Sequence, residues 1–292
     1  MSLVNLPPYK VRFDPSILTH GVDWGLSAYN IPALWSQTKG QGITVAVIDS
    51  GVADHTHLVC EHHVNFTTDS ETQDTLGHGT HVAGIIGATG GKAKGIAPEA
   101  SLMSLKALGH SGFGNNSHVA EAIRYAADHD ANIICMSLGG SKRSEEVADA
   151  IKYSSRKGVI HVCAAGNDSG PVNYPAALYQ TIAVGAVDAQ GHCCEFSCRG
   201  EPVVVAAPGE NITSTWLNNG YATISGTSMA APFVAGVLAL YLSACKSKGT
   251  CTDILYCLAT TASDVGESGK DPLYGWGLIN PGAMLKETED IL

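Results

Sequence analysis

The sequence predicts an α/β domain with three layers, a mostly parallel central sheet covered by helices on both faces. Three observations carry that expectation. Runs of apolar, β-branched residues recur along the 292 residues, segments of helical period separate several of them, and apolar residues make up 45% of the chain against 15% charged. Such a chain buries a sizeable core. Strands that are apolar throughout, rather than alternating, belong to sheets covered on both faces.

In chain order, residues 1 to 25 hold Pro7, Pro8 and Pro15 with little periodicity and read as an arm; residues 26 to 292 read as the folded domain. Strands are expected at Ile43 to Ile48, Ile133 to Ser137, Val159 to Ala164, Thr181 to Val187 and Val203 to Ala206. Helices are expected at Thr80 to Ala88, Ser117 to His129 and Ser144 to Lys157, with a last, fully buried one in the apolar run MAAPFVAGVLALYLSA that follows Ser228. Functional residues of parallel sheets gather beyond the carboxyl ends of the strands. Asp49 closes the first strand, Asn167 follows Val159 to Ala164, and His78 and Ser228 each open a helix, so these four are expected to converge on one edge.

The balance of 27 acidic against 17 basic residues gives a formal charge of −10 without a basic block, which argues against nucleic acid as a partner. The reading finds no apolar stretch approaching the ~20 residues of a membrane span. The start, MSLVNLPPYKVRF, lacks the apolar centre of a signal peptide. A soluble, cytoplasmic protein without a membrane partner is expected, and a homodimer is left open. Nine cysteines, an odd number in a chain of this size, point weakly to a reducing compartment and to free thiols.

Ser228 lies in GTSMAAP, on a glycine-flanked turn at a helix N-terminus. Free N–H groups and the positive dipole end there favour an oxyanion. A serine hydroxyl is a weak nucleophile, and His78, in GHGTHVAGIIGA, is the candidate base that takes its proton. Asp49, in VAVIDSG, would hold the imidazole in the right tautomer and stabilise its charged form. Each residue alone has an ordinary explanation as a turn or cap. The three motifs in the order Asp, His, Ser match the arrangement of the subtilisin type of triad.

On these motifs the chain resembles the subtilisin-like serine peptidases over about residues 30 to 285. The resemblance implies a serine endopeptidase working through an acyl-enzyme. It assigns Asn167, in AAGND, as the side-chain donor to the tetrahedral oxyanion. It also makes Ser111, Gly112, Phe113 and Gly114 (SGFG) and Ser137, Leu138 and Gly139 (in SLGG) the two edges flanking an extended peptide. Asn173 falls at the floor of the P1 pocket, and Phe113 replaces a smaller residue. Two other readings stay open: a dedicated processing protease or peptide macrocyclase, and a catalytically silent peptide-binding homologue.

No metal site is expected. HGTH lacks the glutamate that zinc peptidases place between two histidines. Asp54 to His63 and the HCCEFSC segment carry ligand-type residues without a standard spacing. Many subtilases hold calcium in a loop that here reads GATGGKAKG, without carboxylates, and His57 stands near the position of an aspartate ligand. No cofactor is expected, with calcium left open only at some weaker site. The arm contains Leu6, Pro7, Pro8 and Tyr9, resembling the proline-containing extension of intracellular subtilisin proteases. An inhibitory role is expected of it.

Overall fold

A computed structural model describes residues 3–12, 23–249 and 253–288. Two short strands come first, β1 (Leu3–Asn5) and β2 (Lys10–Arg12), then helices α1 (Trp24–Ala28) and α2 (Ile31–Leu34). The body follows as β3 (Thr44–Asp49), β4 (Cys60–Asn65), α3 (His78–Gly87), β5 (Ser101–Lys106), β6 (Phe113–Asn115), α4 (Asn116–Asp128), β7 (Ile133–Met136), α5 (Glu145–Arg156), β8 (Ile160–Ala164), β9 (Thr181–Val187) and β10 (Val203–Pro208). A hairpin, β11 (Ile212–Trp216) and β12 (Gly220–Ser225), leads into the long α6 (Thr227–Lys248), and α7 (Ile254–Thr261) and α8 (Pro281–Glu287) close the chain.

Seven strands form one sheet in the order β10-β9-β8-β7-β3-β5-β4, and every pair in it is parallel. Side chains alternate between its faces. Val45 and Val47 of β3 enter one apolar cluster with residues of α3 and α6, while Ala46 and Ile48 enter a second with residues of α4 and α5. Both faces are therefore buried, as the apolar strands foretold.

Expected and observed elements agree to within two residues at most ends. Ser144 lies just outside α5, where its hydroxyl caps the helix by accepting from Val147 N. The sequence reading missed β5, one strand in from the sheet edge, because Ser101, Ser104 and Lys106 break its apolar pattern. It also missed β4, an edge strand reading CEHHVN. A further correction concerns α6. This helix is long and apolar enough to cross a membrane, contrary to the expectation that no stretch has that reach, yet 94% of its most apolar window is buried inside the protein. It is a core helix.

Burial of α6 is where the fold holds together. Phe233 is 1% exposed and meets the Tyr29 ring edge-on at 5.2 Å. Phe233→Ala is expected to cost about 3–5 kcal/mol of stability, as for other large aromatic deletions in cores. Urea unfolding midpoints of the two proteins check this.

Candidate active site

Asp49 is the last residue of β3, and the chain beyond it is tied back by Ala107 N and Leu108 N, which donate to Asp49 O at 2.9 and 3.1 Å. The side chain is fully buried. A buried carboxylate must collect donors, and Oδ1 accepts from Ser50 N at 2.7 Å and from His78 Nδ1 at 2.8 Å. Ser50 Oγ lies within reach of two carboxylates, Asp49 Oδ1 at 3.2 Å and Asp74 Oδ1 at 2.9 Å, and accepts from Gly79 N at 3.0 Å. Asp74 in turn receives Leu76 N, Gly77 N, Thr80 N and the Thr80 hydroxyl.

His78 opens α3. The glycines on either side of it are dictated by space. Gly77 has φ +92°, and a Cβ there would lie 2.4 Å from the Trp216 ring; a Cβ on Gly79 would lie 2.0 Å from Gly51 O. His78 is held against Asp49 by these contacts. Its Nε2 is buried and has no hydrogen-bond partner among the described residues.

Ser228 is the second residue of α6, also fully buried. Pro232, one turn on, has no N–H to give Ser228 O. That carbonyl instead accepts from Ser137 Oγ at 2.9 Å. The Ser228 hydroxyl donates to Ser137 O at 3.3 Å. Asn167, in the loop after β8, accepts Thr227 N at 2.8 Å and Thr227 Oγ1 at 2.7 Å on its Oδ1. Its amide Nδ2 is thereby turned outward, where it donates to Pro8 O at 3.0 Å.

The two glycine-containing segments face each other across the arm. β1 pairs antiparallel with β6, so that Val4 lies opposite Gly114 and Asn5 opposite Phe113. Leu6 N donates to Gly112 O at 3.0 Å, and Asn5 and Gly139 exchange both backbone bonds at 3.0 Å. Leu138 and Val4 are buried in the same apolar cluster, whereas Ser111 and Phe113 are exposed. Asn173 packs on Gly166, with Nδ2 3.8 Å from Cys198 Sγ. Past the cleft, Pro7 is buried and the Tyr9 ring tilts against the His78 ring at 5.0 Å between centroids. Burial, with the nearby Asp49 and Asp74 carboxylates, pushes the Tyr9 hydroxyl up to about 12. β2 then pairs antiparallel with β12.

Among the described residues, no group of three or more His, Cys, Asp or Glu is arranged to hold a metal ion. Cys60, Cys135, Cys163, Cys193, Cys194 and Cys198 carry free thiols, and Cys251 lies outside the described residues.

Residues 40–277 match the family model of the subtilase family. The chain belongs to that family. It is 40% identical over 253 residues to the intracellular serine protease of Paenibacillus polymyxa, covering 81% of this chain and 77% of that protein. It is 37% identical over 270 residues to subtilisin Savinase of Lederbergia lenta, covering 91% of this chain and 99% of that one. To the minor extracellular protease Epr of Bacillus subtilis it is 38% identical over 288 residues, 94% of this chain but 44% of Epr, so it spans less than half that relative's length. This subtilase is thus a subtilisin-like serine peptidase whose relatives include intracellular and extracellular enzymes.

Sequence reasoning did not find Ser50, Asp74 and Thr227, which hold Asp49, the His78 turn and Asn167. An acid four residues ahead of His78 and a hydroxyl next to Ser228 were the available signals.

His81, one turn after His78, is fully buried and its Nε2 bonds Ala222 O at 3.0 Å. Burial lowers its pKa to about 3, and burial lowers that of His161 in β8 to about 4. Unfolded, both imidazoles bind a proton near 6.5; folded, neither does until far lower pH. Stability from these groups is full above pH 6.5 and drains away as pH falls toward 4, by up to about 1.4 kcal/mol per unit for each. Urea midpoints at pH 7, 6 and 5 are expected to fall in that order. His81→Gln, which keeps an N–H donor for Ala222 O and does not titrate, is expected to make the fall shallower.

Proposed function

We propose that Asp49, His78, Ser228 and Asn167 are the catalytic residues, and that the chain hydrolyses peptide bonds in extended segments of peptides or proteins. The observation that supports this best is the fully buried Asp49–His78 hydrogen bond, beside a serine at a helix N-terminus. His78 Nε2 takes the Ser228 proton as the hydroxyl oxygen bonds to the peptide carbonyl carbon, and Asp49 stabilises the imidazolium. Oxyanion charge is met by Asn167 Nδ2 and by the Ser228 backbone N–H. The imidazolium then gives its proton to the leaving amine, and water activated by His78 releases the acyl group. Ser228→Ala is expected to abolish hydrolysis of a fluorogenic peptide and labelling by a fluorophosphonate. Near-normal turnover in that variant would sink the assignment.

Gly112 to Gly114 and Ser137 to Gly139 would bind substrate backbone, with Asn173 at the P1 pocket. Loop 87–95 offers no carboxylate for calcium, and its Gly91 packs against His57 and Tyr221. Calcium therefore does not fit there. A cytoplasmic location is inferred from the intracellular relatives.

The arm is proposed to inhibit its own domain through Leu6, Pro7, Pro8 and Tyr9. It uses the backbone bonds a substrate would use, occupies Asn167 with the carbonyl of Pro8 and covers His78 with Tyr9, while Ser228 Oγ rests on Ser137. Two adjacent prolines lose little entropy in docking extended. Tethering supplies an effective concentration of about millimolar. The full chain is expected to show a lag in hydrolysing a small fluorogenic peptide that a form beginning at Thr19 lacks. Equal rates from the first seconds would remove the inhibitory role.

A further inference from the structure

One fully buried cation, Lys106 at the end of β5, takes no part in the chemistry described above. Its ammonium donates to Ser50 O at 3.0 Å and stands 3.4 Å from Asp69 Oδ2. Ser50 is the residue whose N–H and hydroxyl hold the Asp49 carboxylate. Asp69, with its side chain 12% exposed, faces the other way. Its Oδ2 accepts His110 N at 2.8 Å, and its Oδ1 meets His110 Nδ1 at 3.1 Å. Gly109 lies directly beneath the carboxylate: a Cβ there would stand 3.3 Å from both oxygens.

Residues 109–113 form a tight turn, with Gly112 N donating to Gly109 O at 2.8 Å and Gly109 N to Phe113 O at 2.9 Å. This turn carries Gly112 O, which Leu6 N reaches, and leads into β6. Asp69 is itself fixed from below. Asn65, ending β4, donates to Asp69 O at 2.8 Å and accepts Thr67 N and Oγ1, and Thr67 Oγ1 accepts Asp69 N at 3.1 Å. A chain of contacts thus runs from the Asp49 support, through one ammonium, to the edge of the cleft.

We propose that Asp69, backed by Lys106 and gripping His110, is a positioning residue that sets the Gly112–Gly114 edge for substrates extending several residues ahead of the cleaved bond. This rests on reading that edge as a substrate-binding one. Asp69 touches no substrate. It fixes where the Gly112 carbonyl and the Gly114 backbone stand, so losing it weakens binding of long peptides more than that of short ones. A bidentate, charge-assisted anchor suits this, because a glycine turn has few other means of holding one geometry.

The test compares two substrates of the full chain: an acylated tetrapeptide amide, which reaches Gly114, and an N-acetyl single-residue ester with the same residue at the bond, which stops short of it. Asp69→Asn is expected to lower the ratio of kcat/KM for the tetrapeptide to kcat/KM for the ester about fivefold or more, with the change in the tetrapeptide carried by KM. An arm that closes the cleft scales kcat/KM of both substrates alike, so their ratio reads the turn alone. His110→Gln, at an exposed position, removes the ring's charge-assisted grip without disturbing the core, and is expected to shift the ratio in the same direction by less. Equal losses on both substrates, a fall in kcat at constant KM, or no change in the ratio in either variant overturns the proposal. A parent protein that gains nothing from the longer substrate overturns instead the reading of the edge itself.

Discussion

A carboxylate shut inside the fold is the constraint around which this molecule is organised. Asp49 ends a strand in the middle of a sheet covered on both faces, so the donors to its Oδ1 come from neighbouring groups of the chain. Ser50 N–H and His78 donate to it and the Ser50 hydroxyl stands between it and Asp74, and each of those groups then has to be held in turn. Asp74 holds the turn before His78, Lys106 holds Ser50, and glycines at 77 and 79 let α3 come close enough for the imidazole to arrive. An unpaired buried charge is strongly destabilising, and this cost forces the geometry more firmly than any one hydrogen bond rewards it.

The same economy appears at Ser228. A proline one turn into α6 would ordinarily weaken a helix, but here it frees a carbonyl for Ser137 and thereby ties the helix N-terminus to the segment after β7. Thr227 does the equivalent for Asn167, occupying the acceptor end of the amide so that only its donor end faces the cleft. Both devices orient a group without spending a charged residue, in a region where a further charge would have had to be neutralised.

Much of this was legible in the sequence, for a physical reason. Strands covered on both faces leave long apolar signatures, and β3, β7, β8, β9 and β10 were read from them. Asp49, His78, Ser228 and Asn167 lie in compact motifs because each needs particular neighbours at the end of its strand or the start of its helix. The illegible parts are those fixed by distant partners. β5 carries serines and a lysine because Lys106 must reach across to Ser50, a pairing 56 residues apart that no local pattern announces. Asp74, Asp69 and Thr227 are ordinary turn or cap residues until the fold shows what stands opposite them. β4, reading CEHHVN, gave no strand signal because an edge strand needs no apolar alternation.

The arm is attached at two places, on either side of the contacts it makes with Asn167 and His78: β1 lies on β6 and Gly139, and β2 lies on β12. Each strand is three residues long, too short to hold on its own against the entropy of a free chain. Together they behave as a two-toothed clasp whose halves hold each other in place. A single cut anywhere between Leu6 and Lys10 would therefore do more than open one bond. It would leave each half with only its own short pairing, and the half that carries β1 would no longer be tethered to the domain.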